Sequence, residues 1–147
     1  MVEVVRVLAR LARLMERNSG ELSLAQYRVL AAVGAGEERA SRVAQRLALG
    51  KPTVSASVDA LTRRGLITSA SVGEDQRAVA LTLTPPGQAM LDRVESGWVA
   101  MLEELCARGG LPNDALAALG SLTKAVDELT TRSTSSAGAV GASGSSA

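Results

Sequence analysis

The stretch RVAQRLALGKPTVSASVDALTRRGLI, residues 42–67, constrains the fold more than any other part of this chain. Val43, Ala44 and Leu47 fall at helical spacing after Ser41, and the run then breaks at LALGKP. A second helical set, Val54, Val58 and Leu61, extends to Gly65. Pro52 suits the first turn of that second helix, where its missing amide hydrogen has no intrahelical partner to lose. Gly65 supplies a left-handed stop. Two short helices with a tight turn between them make a helix-turn-helix candidate. The face opposite the apolar one is built from small hydroxyl and alanine residues, with Lys51 near its start and Arg63 and Arg64 near its end.

The flanks complete a pattern. Val4, Leu8, Leu11 and Met15, widened by Val7 and Leu14, form the apolar stripe of an amphipathic first helix that ends near Asn18 to Gly20. Arg6, Arg10, Arg13 and Arg17 form a second row along it, read as a solvated face, and the apolar stripe needs a partner. Ser23 and Gln26 make a capping box that opens a second helix carrying Leu24, Tyr27, Leu30 and Ala31, which ends at the glycines of VGAGEE. Tyr27 reads as a core or interface residue, with a pocket-lining role as the alternative. After Gly65, the β-prone runs LITSASV and AVALTLT flank GEDQR, so a hairpin with an exposed tip is expected, with Val79, Leu81 and Leu83 on one side. Its position directly after the helix-turn-helix makes it a wing.

Thr84 with Pro85 or Pro86 starts a long helix through about Arg108, marked by Ala89, Met90, Val94, Trp98, Met101, Leu102 and Leu105. Gly109 and Gly110 end it, and Pro112 begins a last helix with Leu116, Leu119, Leu122, Val126 and Leu129. Apolar helices of this length exceed what a small winged domain can cover and call for a second subunit. From Ser133 the composition collapses to Ser, Thr, Gly, Ala and one Val. Such a segment cannot bury enough surface to offset its ordering entropy, so disorder is expected there.

Composition removes whole classes of activity. There is no histidine, so the commonest general base and the commonest nitrogen metal ligand are both missing. One cysteine allows no intrachain disulfide. No glycine-rich phosphate loop, nucleophile elbow or Cys-His constellation is present, so no catalytic residue, metal or cofactor is expected. With no Phe, the core must be made of Leu, Val, Ala and Met. No apolar run approaches the roughly 18 residues of a membrane span, and no basic leader precedes a cleavage site, so a cytoplasmic protein is expected. From Arg39 to Thr82, seven basic residues stand against three acidic ones, giving +4; from Asp92 to Arg132, four stand against seven, giving −3. A basic middle beside an acidic end fits a polyanion-binding module joined to a separate association element.

Three motifs, LSLAQYRVLAAV, RVAQRLALGKPTVSASVDALTRRGLI and GEDQRAVALTLTPPG, make the chain from Leu22 to Gly87 resemble the winged helix-turn-helix of the MarR family of bacterial transcription regulators. The third is the most specific, because Asp75, Arg77, Leu83, Thr84 and Gly87 recur in that family's wing pattern at this spacing. The fold class expected is mainly α with a small β-hairpin wing. Residues 1–20 would form an N-terminal dimerisation helix, 21–87 the winged DNA-binding domain, 88–132 the C-terminal dimerisation helices, and 133–147 a disordered tail.

The resemblance implies a homodimer on double-stranded DNA, with each recognition helix in a major groove and each wing tip over a minor groove. The implied DNA-facing set is Lys51, Pro52, Thr53, Ser55 and Ala56 on the helix and Asp75, Gln76 and Arg77 at the tip. On that resemblance Lys51 would serve a phosphate, while Thr53 and Ser55 would meet a base edge or the backbone. By that resemblance Arg77 would reach into the minor groove, held in pose by Asp75, with an ordinary surface ion pair as the alternative. Arg63 and Arg64 touch the backbone or stay solvated. Ala56, followed by Ser57, stands where many members carry a larger polar or basic residue, so arginine readout of guanine is not available there, and Ala56 offers apolar contact to a thymine methyl instead. More discrimination then falls to the wing and to DNA shape. A small aromatic or phenolic effector between the dimerisation helices and the DNA-binding lobe is implied, with Arg residues and Tyr27 as candidates to line its site. Cys106, among Leu102, Leu105 and two Glu, reads as packing rather than as a thiol sensor. The function expected is a homodimeric repressor on a palindromic operator. Two other classes stay open: a winged module that binds protein instead of DNA, and a small carboxylate-dependent enzyme.

Overall fold

The structure is a computed structural model that describes residues 1–36, 39–71, 79–112 and 114–130. Its elements in chain order are α1 (Val2–Asn18), α2 (Leu24–Gly34), α3 (Ala40–Leu47), α4 (Lys51–Arg63), β1 (Ile67–Ser71), β2 (Val79–Leu83), α5 (Pro85–Gly109) and α6 (Ala115–Gly120). The chain is mainly helical with one two-stranded antiparallel hairpin, the fold class expected from the sequence.

Aliphatic side chains from five elements meet at one centre: Val29 and Leu30 of α2, Val43 of α3, Val54 and Leu61 of α4, Ile67 of β1 and Leu81 of β2 are fully buried. In α3, α4 and β2 these residues come from the expected apolar stripes, whereas in α2 the buried face runs through Val29, Leu30, Ala32 and Val33, with Leu24, Tyr27 and Ala31 only partly buried. The Ser23 side chain accepts from the Gln26 amide, and the Gln26 side chain accepts from the Ser23 amide, completing the capping box. In the hairpin Ile67 stands opposite Leu83 and Ser69 opposite Leu81. An isolated bridge between Arg39 and Ala80 ties the segment before α3 to β2. That bridge holds Arg39 extended, so α3 starts at Ala40, ahead of the Ser41 that the sequence suggests as its opener.

The junction between α4, the hairpin and α5 is tight. Thr84 caps α5: its hydroxyl accepts from the Gly87 amide at 3.1 Å and donates toward the carbonyls of Gly65 and Leu66. A Cβ on Gly87 would lie 1.9 Å from the Leu66 carbonyl oxygen, so only glycine fits that approach. The TPPG motif is therefore a joint that fixes the end of the α4 segment against the long helix. Farther along α5, Met90, Leu91, Val94 and Trp98 are buried, and the Trp98 indole N–H donates to the Met15 carbonyl at 3.0 Å.

Two features depart from the sequence pattern. The last helix does not run unbroken from Pro112: α6 stops at Gly120, and helix resumes over 123–130. Gly120 is a poor helix former, and the Ser121 and Thr123 hydroxyls donate to the carbonyls three residues back, drawing those groups from the helical ladder. Second, α1 buries no residue, and Val4, Val7 and Leu8 are each more than half exposed. Leu119, Leu122, Val126 and Leu129 are likewise exposed. Their stripes are regular, but these side chains remain largely exposed among the described residues. Among the described residues, no helix is long and apolar enough to cross a membrane.

Candidate nucleic-acid interface

The α4 helix is held by its inner face and open on its outer one. Val54, Val58 and Leu61 turn inward. Ser57 joins them, unlike the other small residues of the segment, because its hydroxyl donates to the Thr53 carbonyl at 2.9 Å and is satisfied within the helix. Lys51, Pro52, Thr53, Ser55 and Ala56 are all exposed, and a turn further on Asp59 and Arg63 are exposed too. At 100° per residue, Pro52, Ser55, Ala56 and Asp59 share the middle of the outer face, with Lys51 and Thr53 at its edges. The capping residue Gly50 has no side chain to cover the first-turn amides, so the positive end of the helix points outward uncapped. This surface combines a cation, hydroxyls, free amides and close backbone access, a set suited to phosphates and base edges.

Asp59 was not a sequence candidate, although periodicity alone places it on this face. A carboxylate there repels phosphate and can accept from a cytosine amino group.

The two arginines at the end of α4 differ. Arg63 is exposed. Arg64 turns back: one guanidinium nitrogen donates to the Glu21 carbonyl at 2.6 Å and another lies 3.3 Å from the Glu21 carboxylate. The second oxygen of that carboxylate lies 3.5 Å from Arg93 of α5. Arg64 is thus tied to the body of the protein. The wing candidates Asp75, Gln76 and Arg77 lie outside the described residues, as does the segment from 131 to 147; the strands leading to the tip are paired out to Ser71 and Val79.

The turn before α4 carries its own constraint. Ala48 adopts a left-handed conformation, φ 49°, that glycine usually takes. The Ala48 amide donates to Gln45 and the Leu49 amide to Ala44, closing the end of α3. Arg28, which the sequence reading passed over, reaches across from α2 and donates to the Leu47 carbonyl at 2.6 Å.

Behind the helix-turn-helix lies a cavity of about 290 Å³, lined by Tyr27, Arg28, Ala31 and Ala32 of α2, Arg46 and Leu47 of α3, and Val126, Asp127 and Thr130 of the C-terminal run. Its size is at the lower end of small-molecule sites. The Tyr27 ring packs edge-on against Trp98 with centroids 4.4 Å apart, and its hydroxyl donates to Glu95 at 3.0 Å. Burial, and then the adjacent Glu95 charge and hydrogen bond, push the Tyr27 phenol up to about 12. Cys106 is half-buried against a second cavity of about 410 Å³ that Glu103 and Leu111 also line. Among the described residues, no cluster of three acidic or cysteine side chains can hold a metal ion.

Comparison with known proteins agrees with this geometry. The model of the MarR family matches residues 21–78. No curated protein matches the chain by sequence. Among solved structures, the transcriptional repressor CouR, bound to a 23-mer DNA duplex, is 28% identical with a TM-score of 0.68, over 84% of this chain and 89% of its own. The PcaV transcriptional regulator of Streptomyces coelicolor is 26% identical with a TM-score of 0.63, over 84% and 94%. BpsR of Bordetella bronchiseptica, whose DNA binding is regulated by 6-hydroxynicotinic acid, is 23% identical with a TM-score of 0.67, over 84% and 94%.

Proposed function

We propose that the protein is a transcription regulator of the MarR family, whose model matches residues 21–78, and that it is a homodimeric repressor that binds a palindromic operator and is released by a small organic acid. The observation that carries the reading is the outer face of α4, where Lys51, Pro52, Thr53, Ser55 and Ala56 are exposed at an uncapped helix start while Val54, Val58 and Leu61 anchor the helix from behind. Lys51 holds a phosphate, Thr53 and Ser55 meet base edges or backbone, and Ala56 packs on a thymine methyl. Arg77, positioned by Asp75 and accompanied by Gln76, enters the minor groove. Such a regulator works in the cytoplasm as a DNA-binding protein with no catalytic step.

Dimerisation is supported by the uncovered apolar stripes of α1 and the C-terminal segment, which residues 1–20 and 88–132 contribute. The effector site is the cavity behind the helix-turn-helix. CouR, a repressor on DNA, and BpsR, regulated by a pyridine carboxylic acid, support both halves of the reading by likeness.

Selection of duplexes from a random pool by the purified protein tests it. Recovery of an inverted-repeat sequence, bound with affinity that falls steeply as salt rises, is the expected result. A pool that yields no enriched sequence would leave a protein-binding winged module as the better account. Arg77→Ala is expected to weaken binding to the recovered fragment at least about tenfold in gel shift, since a minor-groove arginine both neutralises phosphate potential and reads groove width; unchanged affinity removes the wing from the mechanism.

A further inference from the structure

Arg28 belongs to two structures at once. It lines the cavity behind the helix-turn-helix, and its guanidinium donates to the carbonyl of Leu47, the last residue of α3. That carbonyl is one of the helix-terminal acceptors that the helix itself leaves unmet. The amides of Ala48 and Leu49 are directed to Gln45 and Ala44, and none of the described turn amides is bonded to Leu47. Arg28 is therefore a side-chain hold on a turn whose next residue, Ala48, sits in a strained left-handed conformation. Beyond that turn lie Gly50 and the outward-facing start of α4.

The cavity lining contains two guanidiniums, Arg28 and Arg46, against one carboxylate, Asp127. The net charge of +1 complements a monoanion, and Ala31, Ala32 and Leu47 offer an apolar wall to a small planar body. A ligand carboxylate can accept two parallel hydrogen bonds from one guanidinium and opposes its charge, whereas the Leu47 carbonyl offers a single neutral acceptor. A bidentate pose that takes the Nη2 donor now given to Leu47 competes with that carbonyl.

We propose that Arg28 is the relay between the cavity and the DNA: a monoanionic organic acid bound there draws the guanidinium off the Leu47 carbonyl, the α3–α4 turn loses its hold, and the start of the recognition helix is no longer fixed for the groove. This rests on the reading of the cavity as the effector site. The coupling is reciprocal, so bound DNA lowers acid affinity by the same factor.

Benzoate, the simplest aromatic carboxylate, is the probe. Binding is measured by calorimetry, and operator affinity by gel shift on the fragment recovered from the random pool, for the full-length wild type, Arg28→Met and Arg28→Lys. Saturating benzoate is expected to weaken wild-type operator binding about fivefold or more. Arg28→Met is expected to bind operator comparably weakly without benzoate and to be insensitive to it. Arg28→Lys keeps the charge without the fork, so it binds benzoate but transmits less than half of the wild-type effect. Amide exchange is expected to speed up at Leu49 in Arg28→Met and in benzoate-saturated wild type, with the buried Leu30 amide unchanged as evidence of an intact fold.

An Arg28→Met protein that binds operator like the wild type overturns the relay. If benzoate binds both proteins and shifts their operator affinity equally, the cavity reading stands and the relay falls. Benzoate bound by neither protein removes the cavity reading and the relay together.

Discussion

At the scale of the residue, single positions carry constraints that composition hides. Gly87 matters for the space above its Cα, which the Leu66 carbonyl fills. Gly87→Ala is expected to cost about 3 kcal/mol, the upper part of the overpacking range, because the obstacle is backbone and cannot rotate away; urea unfolding measures it, and a loss below about 1 kcal/mol would show that the joint yields. Tyr27 is the chain's only tyrosine, so its titration can be followed by ultraviolet absorbance without assignment. With its phenol raised from 10.0 to about 12, the folded state holds this proton more tightly than the unfolded state does. The sign follows: this contribution to stability is fully present below about pH 10 and is lost as pH rises from about 10 toward 12. Glu95→Gln removes the neighbouring charge and is expected to lower the Tyr27 midpoint. Both residues were visible in the sequence, Gly87 as part of a motif and Tyr27 as a helix-face aromatic. Their partners, Leu66 and Glu95, are 21 and 68 positions away and were not.

At the scale of the element, α4 shows how a helix divides into an anchored side and a working side. The apolar spacing of Val54, Val58 and Leu61 fixes its rotation, which exposes Lys51, Ser55 and Ala56. If Lys51 neutralises one phosphate, Lys51→Ala is expected to weaken binding to operator and to random duplex alike and to reduce the slope of log affinity against log salt by about 0.9. A slope unchanged from the wild type would place Lys51 off the backbone. The division was legible because periodicity is local. Two details were not: Ser57 turns inward because its hydroxyl finds a carbonyl one turn back, and Arg64 is held by Glu21 from outside the helix. Arg63 and Arg64 are adjacent in sequence and look equivalent, yet only one is free of that tie.

At the scale of the whole molecule, the uncovered stripes at both ends bear on assembly. Leu8 is 53% exposed on α1, and Leu119 on α6 is similarly open. Leu8→Glu places a charge in the apolar stripe without touching the buried core. It is expected to shift the protein from dimer to monomer in sedimentation at micromolar concentration and to weaken operator binding in parallel. A wild type that sediments as a monomer under those conditions would remove the two-fold reading of the operator. The joint at Thr84 and Gly87, the Glu21 bridge between Arg64 and Arg93, and the Trp98 bond to Met15 link α4, α1 and α5.

The sequence by itself determined the helix-turn-helix and hairpin order, the anchoring face of α4, the capping of α2 and α5, and the exclusion of histidine chemistry, because all of these follow from residue identity and from periods of a few residues. Only the tertiary structure decided that Arg28 holds the turn, that Arg64 is tied back, that Tyr27 and Glu95 share a proton donor and acceptor, and that a cavity lies between α2, α3 and the C-terminal run. Each of those depends on the distance between segments remote along the chain, and that distance is set by how the helices pack rather than by what any one of them contains.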